Sequence, residues 1–240
     1  MGRIEKTVFL SYRRTSATWA LAIFQNLTQN GYDVFFDYDG IASGDFERVI
    51  LENIKARAHF LVLLTPSALE RCGDPSDWLR REIETALDTR RNIVPLMLDG
   101  FEFGPSDQLG TLDALRHYNG LPVPVDYFPE AMFRLREKFL NVPLDAVLHP
   151  ASPTARQAAE DQRAAAVTFP AVTEEKLREA EQPRYLFTVK IEYQDELEKI
   201  EGTRAEEPYG PSSLTIYDGG SVVARYSNKV ERWVRQQRQP

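Results

Sequence analysis

This sequence contains few of the features that mark several large classes of protein. Its 240 residues include a single cysteine, Cys72, so no disulfide can form within the chain, which fits a reducing compartment. No apolar run approaches the roughly 20 residues that a membrane helix needs, and Met1–Lys6 lacks the apolar core of a signal peptide. The three histidines, His59, His117 and His149, have no metal-binding spacing. We therefore expect a cytoplasmic protein with no membrane segment and no bound metal.

Excess basic charge and phosphate-binding loops are also absent. The chain has 29 Lys and Arg against 36 Asp and Glu, for a net charge of −7 at pH 7. An acidic chain is a poor candidate for a general nucleic-acid binder. No Gly-rich loop of the Rossmann or Walker type occurs, and no histidine lies near Cys72 to activate it as a nucleophile. What is present is the composition of a globular protein, with 42% hydrophobic and 27% charged residues.

Short apolar runs alternate with helical patterns over the first 140 residues. The third run, His59–Leu64, is apolar throughout, as a central parallel strand should be. Pro95, in the fourth run, cannot donate to a ladder, so we expect an edge or a bulge there. Strands that alternate with helices through short loops indicate a parallel sheet covered on both faces. The sequence therefore predicts an α/β fold with a flavodoxin-like five-stranded parallel sheet. Its strands are predicted at residues 7–12, 32–36, 59–64, 92–98 and 121–125.

The composition changes twice after the predicted sheet. Prolines punctuate residues 143–183 around a predicted helix at 154–166, which we interpret as a linker or packing arm. Further on, the pattern alternates with period two, and Asp218-Gly219-Gly220 between two apolar runs is a hairpin signal. The predicted domains are 5–142, the linker or helical arm 143–183, and a small C-terminal β-rich module 184–240.

Trp78 and Glu82 are the most informative pair, because residues four apart share one face of a helix. The helix that contains them follows the third strand, with Asp74 as its predicted cap and Pro75 in its first turn. In an open parallel sheet, ligands bind at the carboxyl ends of the strands beside the switch point. The first strand there ends at Ser11–Arg14. The aromatic plane of Trp78 could stack on a flat ring of a ligand, while the Glu82 carboxylate stabilises a cation next to that ring.

Five motifs occur in a specific order and spacing along the first part of the chain. They are Val8-Phe-Leu-Ser-Tyr-Arg-Arg14, Phe35-Phe-Asp37, Leu63-Leu-Thr-Pro-Ser-Ala-Leu69, Asp77-Trp-Leu-Arg-Arg-Glu-Ile83 and Ile93-Val-Pro-Leu-Met-Leu-Asp-Gly-Phe-Glu102. Together they resemble a Toll/interleukin-1 receptor (TIR) domain over roughly residues 5–141. The resemblance is greater to the NAD-cleaving members, such as the animal axon-degeneration NAD hydrolase and bacterial antiphage effectors, than to signalling adaptors.

The resemblance implies cleavage of the nicotinamide–ribose bond of NAD+, with NAD+ as the substrate and no cofactor. The implied catalytic residue is Glu82. One carboxylate is enough, because nicotinamide is already cationic before the bond breaks and needs no general acid. The implied substrate-binding residues are Trp78, Ser11, Arg13, Arg14, Phe36, Asp37, Asp45 and Phe103.

Several of these residues have structural alternatives. Trp78 would stack on nicotinamide, or else pack in the core. Arg13 and Arg14 would meet the pyrophosphate or shape the cleft, or else form a surface ion pair. Ser11 would line the pocket floor or be structural. Asp37 and Asp45 fall in the segment that matches the family's mobile loop, and Phe103 stands where the axon-degeneration enzyme has a tryptophan that completes a neighbour's site.

Three functions remain open at this stage. The first is an NAD+ glycohydrolase that releases ADP-ribose or a cyclic variant, activated by self-association through TIR–TIR contacts, in bacterial immunity, with an upstream sensor or activating ligand. The second is a non-catalytic assembly module in signalling. The third is a receptor whose C-terminal module binds a small nucleotide. Arg232, Arg235 and Arg238 in that module fit either a basic stripe on a terminal helix or a solvated tail, and we favour the tail.

Overall fold

A computed structural model of the chain divides into two compact units, Met1–Glu174 and Glu175–Pro240. Among the helices of the described part, none combines the length and apolar character needed to cross a membrane. The structure describes residues 4–36, 46–104, 109–144, 146–181, 185–191, 197–202, 204–207, 213–218, 221–226 and 230–237.

The first unit is built on a five-stranded sheet with the order β2-β1-β3-β4-β5. Every pairing in it is parallel. The predicted flavodoxin-like sheet is thereby confirmed, and its switch point lies between β1 and β3. The strands are β1 (Thr7–Ser11), β2 (Asp33–Phe35), β3 (His59–Leu64), β4 (Asn92–Met97) and β5 (Leu121–Pro122).

Helices connect these strands, as the alternating pattern predicts. Gly31, with a φ of +79°, follows the first helix in the left-handed conformation that commonly ends helices. The α-helices are α1 (Ala17–Gln29), α2 (Phe46–Ala56), α3 (Trp78–Asp88) and α4 (Phe128–Arg134). Short 3-10 turns occur at Arg14–Ser16, Glu70–Gly73, Gly110–His117 and Val125–Tyr127, and a π-helical turn, Leu135–Leu140, continues α4.

Three phenylalanines stack across the centre of the sheet. Phe9 on β1 lies opposite Phe35 on β2 and Phe60 on β3. The Phe9 ring centroid is 5.2 Å from that of Phe35 and 5.6 Å from that of Phe60. Residues paired in this way share one face of a sheet, so the rings favour this register over a one-residue slip. The register in turn places Ser11, the last residue of β1, opposite Val62 of β3.

The prediction that Asp74 caps α3, with Pro75 in its first turn, is wrong. Asp77 is the N-cap, and its carboxylate accepts a hydrogen bond from the Arg80 N–H at 3.1 Å. The Asp74 side chain instead accepts from the backbone N–H and hydroxyl of Ser76, each at 2.8 Å. Asp side chains favour such local turns as readily as helix caps. As a result, Trp78 is the first helical residue and Glu82 lies in the second turn.

Pro95 is accommodated without a bulge. The β3–β4 register runs through Val62 and Pro95 with no shift. Within the described residues, β5 pairs with β4 only at Leu96 and Met97, so β4 is locally an edge at Pro95. The expectation of an edge holds, and that of a bulge does not, because a proline at an open position removes no ladder hydrogen bond.

The predicted helix after residue 142 is α5 (Pro153–Val167), and it packs on α2. Ala155 is fully buried and forms a small apolar cluster with Val49 and Ala151. The Asn53 side chain donates to the carbonyl oxygens of Val49 and Ala155, at 2.8 and 3.1 Å. Residues 146–174 are therefore part of the first unit. The predicted domain boundaries at 142 and 183 stay predictions.

The second unit contains two three-stranded antiparallel sheets, ordered β11-β6-β7 and β10-β9-β8. One apolar cluster takes residues from both sheets, so they pack face to face. Ser221 lies opposite Asp218, as the predicted hairpin requires. The strands are β6 (Tyr185–Ile191), β7 (Glu198–Gly202), β8 (Arg204–Glu206), β9 (Leu214–Asp218), β10 (Ser221–Tyr226) and β11 (Val230–Gln237), and α6 (Glu174–Glu181) precedes them, starting at the last residue of the first unit.

Both interpretations of the C-terminal arginines are wrong for the described residues. Arg232 and Arg235 lie in β11, which pairs with β6 from Val230 to Gln237. Residues three apart on a strand point to opposite faces, so these two arginines form no stripe. Arg238 lies outside the described residues. The pairing with β6 overrides the polar character of this segment.

Candidate active site

A cleft of about 200 Å³ opens at the carboxyl end of β1, beside α3. This is the switch-point side of the sheet, where ligands bind in open α/β folds. The lining combines apolar, aromatic and charged side chains from β1, the start of α2, the Glu70–Gly73 turn and α3. They are Phe9, Leu10, Tyr12, Arg13, Arg14, Phe46, Arg71, Trp78, Leu79 and Glu82.

Ser11 and Glu82 are joined by a short hydrogen bond. The Ser11 hydroxyl donates to Glu82 Oε2 at 2.5 Å. Ser11 is only 1% exposed at the end of β1, whereas Glu82 is half-buried and lines the cleft. The bond fixes the carboxylate on the cleft wall, in a position set by β1 and by α3. A fixed carboxylate in a partly enclosed site can stabilise a nearby cation more strongly than one in water.

Trp78 stands at the rim of the cleft and is 37% exposed. Phe46 approaches it edge to face, with ring centroids 5.0 Å apart at 85°. The Arg81 guanidinium lies over the indole, 4.9 Å from the ring centroid, and is ion-paired with Glu47. The ring is thus held between α2 and α3 and keeps part of its surface open to a ligand.

The guanidinium of Arg13 donates its hydrogen bonds to the segment that connects β3 and α3. Its Nη1 and Nη2 donate to the two carboxylate oxygens of Asp77, at 2.6 and 2.9 Å. Its Nε donates to the Ala68 carbonyl oxygen at 2.8 Å, and Nη2 also lies 3.3 Å from Cys72 Sγ. Partial burial raises the pKa of Asp77, but the hydrogen bonds from Arg13 and the Arg80 N–H outweigh it and hold that pKa below its usual range. Arg13 therefore shapes the cleft by anchoring the N-cap of α3.

Two of the predicted substrate-binding residues lie away from the cleft. Phe36 is 1% exposed, and its ring stacks on Phe24 with centroids 4.7 Å apart, so it is a core residue. Phe103 packs edge to face on Phe101 and under the guanidinium of Arg116, each 4.9 Å from its ring centroid. Neither belongs to the lining. The predicted contacts Asp37 and Asp45 lie outside the described residues.

The cleft also contains residues that the sequence analysis did not select as ligand contacts. Tyr12 and Phe46 could have been found, because Tyr12 directly follows Ser11 and Phe46 closes the segment that matches the family loop. No sequence signal marked Arg71, an exposed residue of the Glu70–Gly73 turn. Its position became evident only once the turn was seen to lie against the end of β1.

The thiol of Cys72 lies beside the cleft, 3.3 Å from Arg13 Nη2. Cys72 is buried, and loss of solvation raises its pKa to about 12, so its thiol stays protonated at neutral pH. Across the described ranges, no group of three or more His, Cys, Asp or Glu side chains is placed to hold a metal ion.

Comparison with known proteins gives a consistent family assignment. NAD(+) hydrolase tir-1 of Caenorhabditis elegans is 34% identical over 134 residues, which cover 53% of this chain and 14% of the relative. NAD(+) hydrolase sarm1 of Drosophila melanogaster is 32% identical over 155 residues, 61% of this chain and 11% of the relative. NAD(+) hydrolase SARM1 of Danio rerio is 31% identical over 125 residues, 50% of this chain and 17% of the relative.

The chain thus spans only a small part of the length of these relatives. The family model described as TIR domain matches residues 8–126. That range includes the five strands of the parallel sheet, apart from Thr7 at the start of β1, and every residue that lines the cleft. Residues 8–126 of this chain therefore belong to the TIR domain family.

Proposed function

We propose that this chain hydrolyses NAD+ at the nicotinamide–ribose bond, giving nicotinamide and ADP-ribose or its cyclic form. The observation that carries the proposal is the Glu82 carboxylate, fixed by Ser11 at 2.5 Å on the wall of a cleft whose rim holds Trp78. The names of the three relatives, all NAD(+) hydrolases with 31–34% identity, support the same chemistry.

Glu82 is the group that acts on the reacting ribose. When the bond between nicotinamide and ribose C1′ breaks, its electron pair goes to the nicotinamide nitrogen, and nicotinamide leaves as a neutral molecule. The positive charge then develops on the ribose, between C1′ and the ring oxygen. The Glu82 carboxylate stabilises this charge electrostatically or as a nucleophile, and water or an adenine nitrogen completes the reaction at C1′.

Trp78 binds the nicotinamide ring, which is the leaving group of the reaction. The nicotinamide of NAD+ is flat and cationic, and an indole face attracts a cation placed over it. The exposed part of the Trp78 ring faces a cleft that also contains Glu82. In this proposal Trp78 positions the nicotinamide so that the scissile bond lies beside the carboxylate.

Self-association completes the site in this proposal. A cleft of about 200 Å³ is smaller than the roughly 300–1,000 Å³ typical of ligand pockets, so it encloses only part of a dinucleotide. TIR–TIR contacts would place a second chain over the exposed remainder, with Phe103 as the aromatic residue that the neighbour contributes. The role in bacterial immunity rests on the resemblance to antiphage effectors.

The test compares nicotinamide release by the wild type, Glu82→Gln and Glu84→Gln, with the protein in its assembled form. Glu84 is a matched control, since it lies on the same helix but bonds to Arg80 and Thr111. We expect Glu82→Gln to lose roughly 100-fold or more of the rate, as is typical for a group that stabilises transition-state charge, and Glu84→Gln to keep it. No release by an assembled wild type would favour the non-catalytic assembly module instead.

A further inference from the structure

The mouth of the cleft has a cation that the proposed mechanism does not use. Arg71 lines the cleft and its side chain is exposed. It lies in the 3-10 turn Glu70–Gly73, between β3 and α3. Within the part of the chain that the structure describes, nothing accepts a hydrogen bond from its guanidinium. Arg71 thus presents its full set of donors at the entrance to the site.

The turn that presents Arg71 is well anchored. Its neighbours Leu69 and Cys72 are buried, and the Cys72 N–H donates to the Leu69 carbonyl oxygen at 3.0 Å. Arg13 holds the same segment through the Ala68 carbonyl oxygen at 2.8 Å. Because the backbone is fixed, little further ordering is needed for the exposed guanidinium to meet a ligand, apart from its own rotamers.

The other arginines of the cleft are less suited to an anion. Every guanidinium nitrogen of Arg13 already has a partner, on Ala68, Asp77 or Cys72. Arg14 also takes part in interactions within the protein. Moving Arg13 onto a phosphate would leave the Asp77 carboxylate without its ion pair, which is costly for a partly buried group. Arg71 can bind an anion without breaking a contact.

We propose that Arg71 forms a phosphate subsite at the mouth of the cleft and binds the pyrophosphate of the substrate. The identity of the ligand rests on the proposed function. In the proposed function, nicotinamide and its ribose lie in the cleft beside Glu82. The pyrophosphate, which is the next part of the dinucleotide, then lies at the mouth of the cleft beside Arg71. Guanidinium groups match phosphate oxygens in geometry as well as charge. Arg71 thereby favours dinucleotides over unphosphorylated nucleosides and acts on binding, not on bond cleavage.

The test is calorimetric titration of the full chain with ADP-ribose and, separately, with nicotinamide riboside, which has no phosphate. Neither binding measurement requires catalysis, so the test of the subsite does not depend on whether the chain hydrolyses NAD+. The variants are Arg71→Ala, Arg71→Lys and the control Arg134→Ala, an exposed arginine on α4. We expect Arg71→Ala to weaken ADP-ribose binding roughly tenfold, as loss of a charge-assisted contact does.

The remaining outcomes are equally specific. Arg71→Lys should lose less affinity for ADP-ribose than Arg71→Ala, and Arg134→Ala should lose none. The affinity for nicotinamide riboside should stay the same in all variants. The proposal is overturned if Arg71→Ala binds ADP-ribose as the wild type does, if it weakens both ligands equally, or if the wild type does not bind ADP-ribose.

Discussion

Ser11 is buried at the end of β1, so in the proposed function its hydroxyl would act on a ligand only through Glu82. It is 1% exposed and does not itself line the cleft, while its only described acceptor is Glu82 Oε2 at 2.5 Å. Removing the hydroxyl leaves the carboxylate in place but frees its rotamer. Ser11 is thus a positioning residue for Glu82.

Replacing Ser11 by alanine should lower kcat about 10-fold to 100-fold, as loss of an orienting partner commonly does, with little change in KM. An effect on kcat alone indicates an interaction used in the transition state. Steady-state nicotinamide release measures both constants. Ser76→Ala, which removes an exposed hydroxyl bonded to Asp74, should leave both unchanged, and a KM effect in Ser11→Ala would contradict this role.

The sequence indicated which residues lie near the cleft better than it indicated their contacts. Glu82, Trp78 and Ser11 were selected from motif and spacing; Glu82 and Trp78 line one cleft, and Ser11 bonds to Glu82 from behind it. For Arg13 the sequence left open a pyrophosphate contact, a role in shaping the cleft and a surface ion pair, and its donors hold Asp77. Local sequence could not reveal that pairing, because it joins residues 64 positions apart, which meet only after the sheet has formed.

The start of α3 is the element that positions the site. Asp77 caps it and is tied to Arg13, with side chains 8% and 10% exposed. Because the pKa of Asp77 is held below its usual value of 3.8, its ionised form stabilises the fold above about pH 4. That contribution is lost as the pH falls through the lowered pKa.

Asp77→Asn should therefore be less stable than the wild type at pH 7, by about 1–3 kcal/mol from the loss of charged hydrogen bonds. The difference should shrink at pH 3, below the ordinary pKa of 3.8, because the unfolded chain then binds a proton that the native ion pair excludes. Urea unfolding at the two pH values measures it. Asp88→Asn, at the exposed far end of α3, should differ from the wild type by the same amount at both pH values. If the stability lost in Asp77→Asn were also the same at both pH values, the ion pair would not be its cause.

The packing of α5 on α2 gives a second prediction for an element. Ala155 is fully buried in that contact, whereas Ala164 on the same helix is exposed. Ala155→Leu should lower the unfolding free energy by about 1–3 kcal/mol through overpacking, and Ala164→Leu should change it little. Thermal unfolding of the full chain checks both. Equal stability of the two variants would show that Ala155 is not buried between α5 and α2.

Element positions were predictable where periodicity was strong. The parallel strands and α5 lie within a few residues of their predicted ranges. The start of α3 and the C-terminal strand were misplaced because tertiary contacts decide them. Asp77 outcompetes Asp74 once Arg13 is beside it, and β11 forms because β6 offers a partner along its whole length.

For the molecule as a whole, His59 makes the stability of the first unit depend on pH. Its Nε2 donates to the Glu5 carbonyl oxygen at 2.8 Å, and its Nδ1 accepts from Asn92 Nδ2 at 2.8 Å, an arrangement that suits the neutral ring. Burial lowers the pKa of His59 below 6.5. Below about pH 6.5 the unfolded chain therefore binds a proton at this histidine more readily than the native chain does. The unfolding free energy consequently decreases as the pH is lowered through this range.

His59→Gln should remove this loss of stability between about pH 6.5 and the lowered pKa of the native ring, even though the variant is less stable overall. Denaturant midpoints at pH 7.5 and pH 5 measure the slope. His117→Gln, an exposed histidine, should keep the wild-type slope. An unchanged slope in His59→Gln would contradict the neutral, buried assignment.

The fold family could be predicted from the sequence, but the role of the second unit could not. The motifs of residues 8–126 identify a TIR domain, whereas the two sheets of the second unit have no counterpart among these motifs. The cleft of about 200 Å³ is smaller than the roughly 300–1,000 Å³ typical of ligand pockets, which is why the proposed function includes a second chain. A residue supplied by another copy cannot be read from the sequence of a single chain.

The most direct test of the account is a paired measurement of binding and cleavage on assembled wild type and Glu82→Gln. NAD+ binding is measured by calorimetry and nicotinamide release by chromatography. The account predicts that Glu82→Gln binds NAD+ within about threefold of the wild type, since Glu82 acts mainly in the transition state, yet releases almost no nicotinamide. Nicotinamide release by Glu82→Gln at the wild-type rate would contradict the central claim.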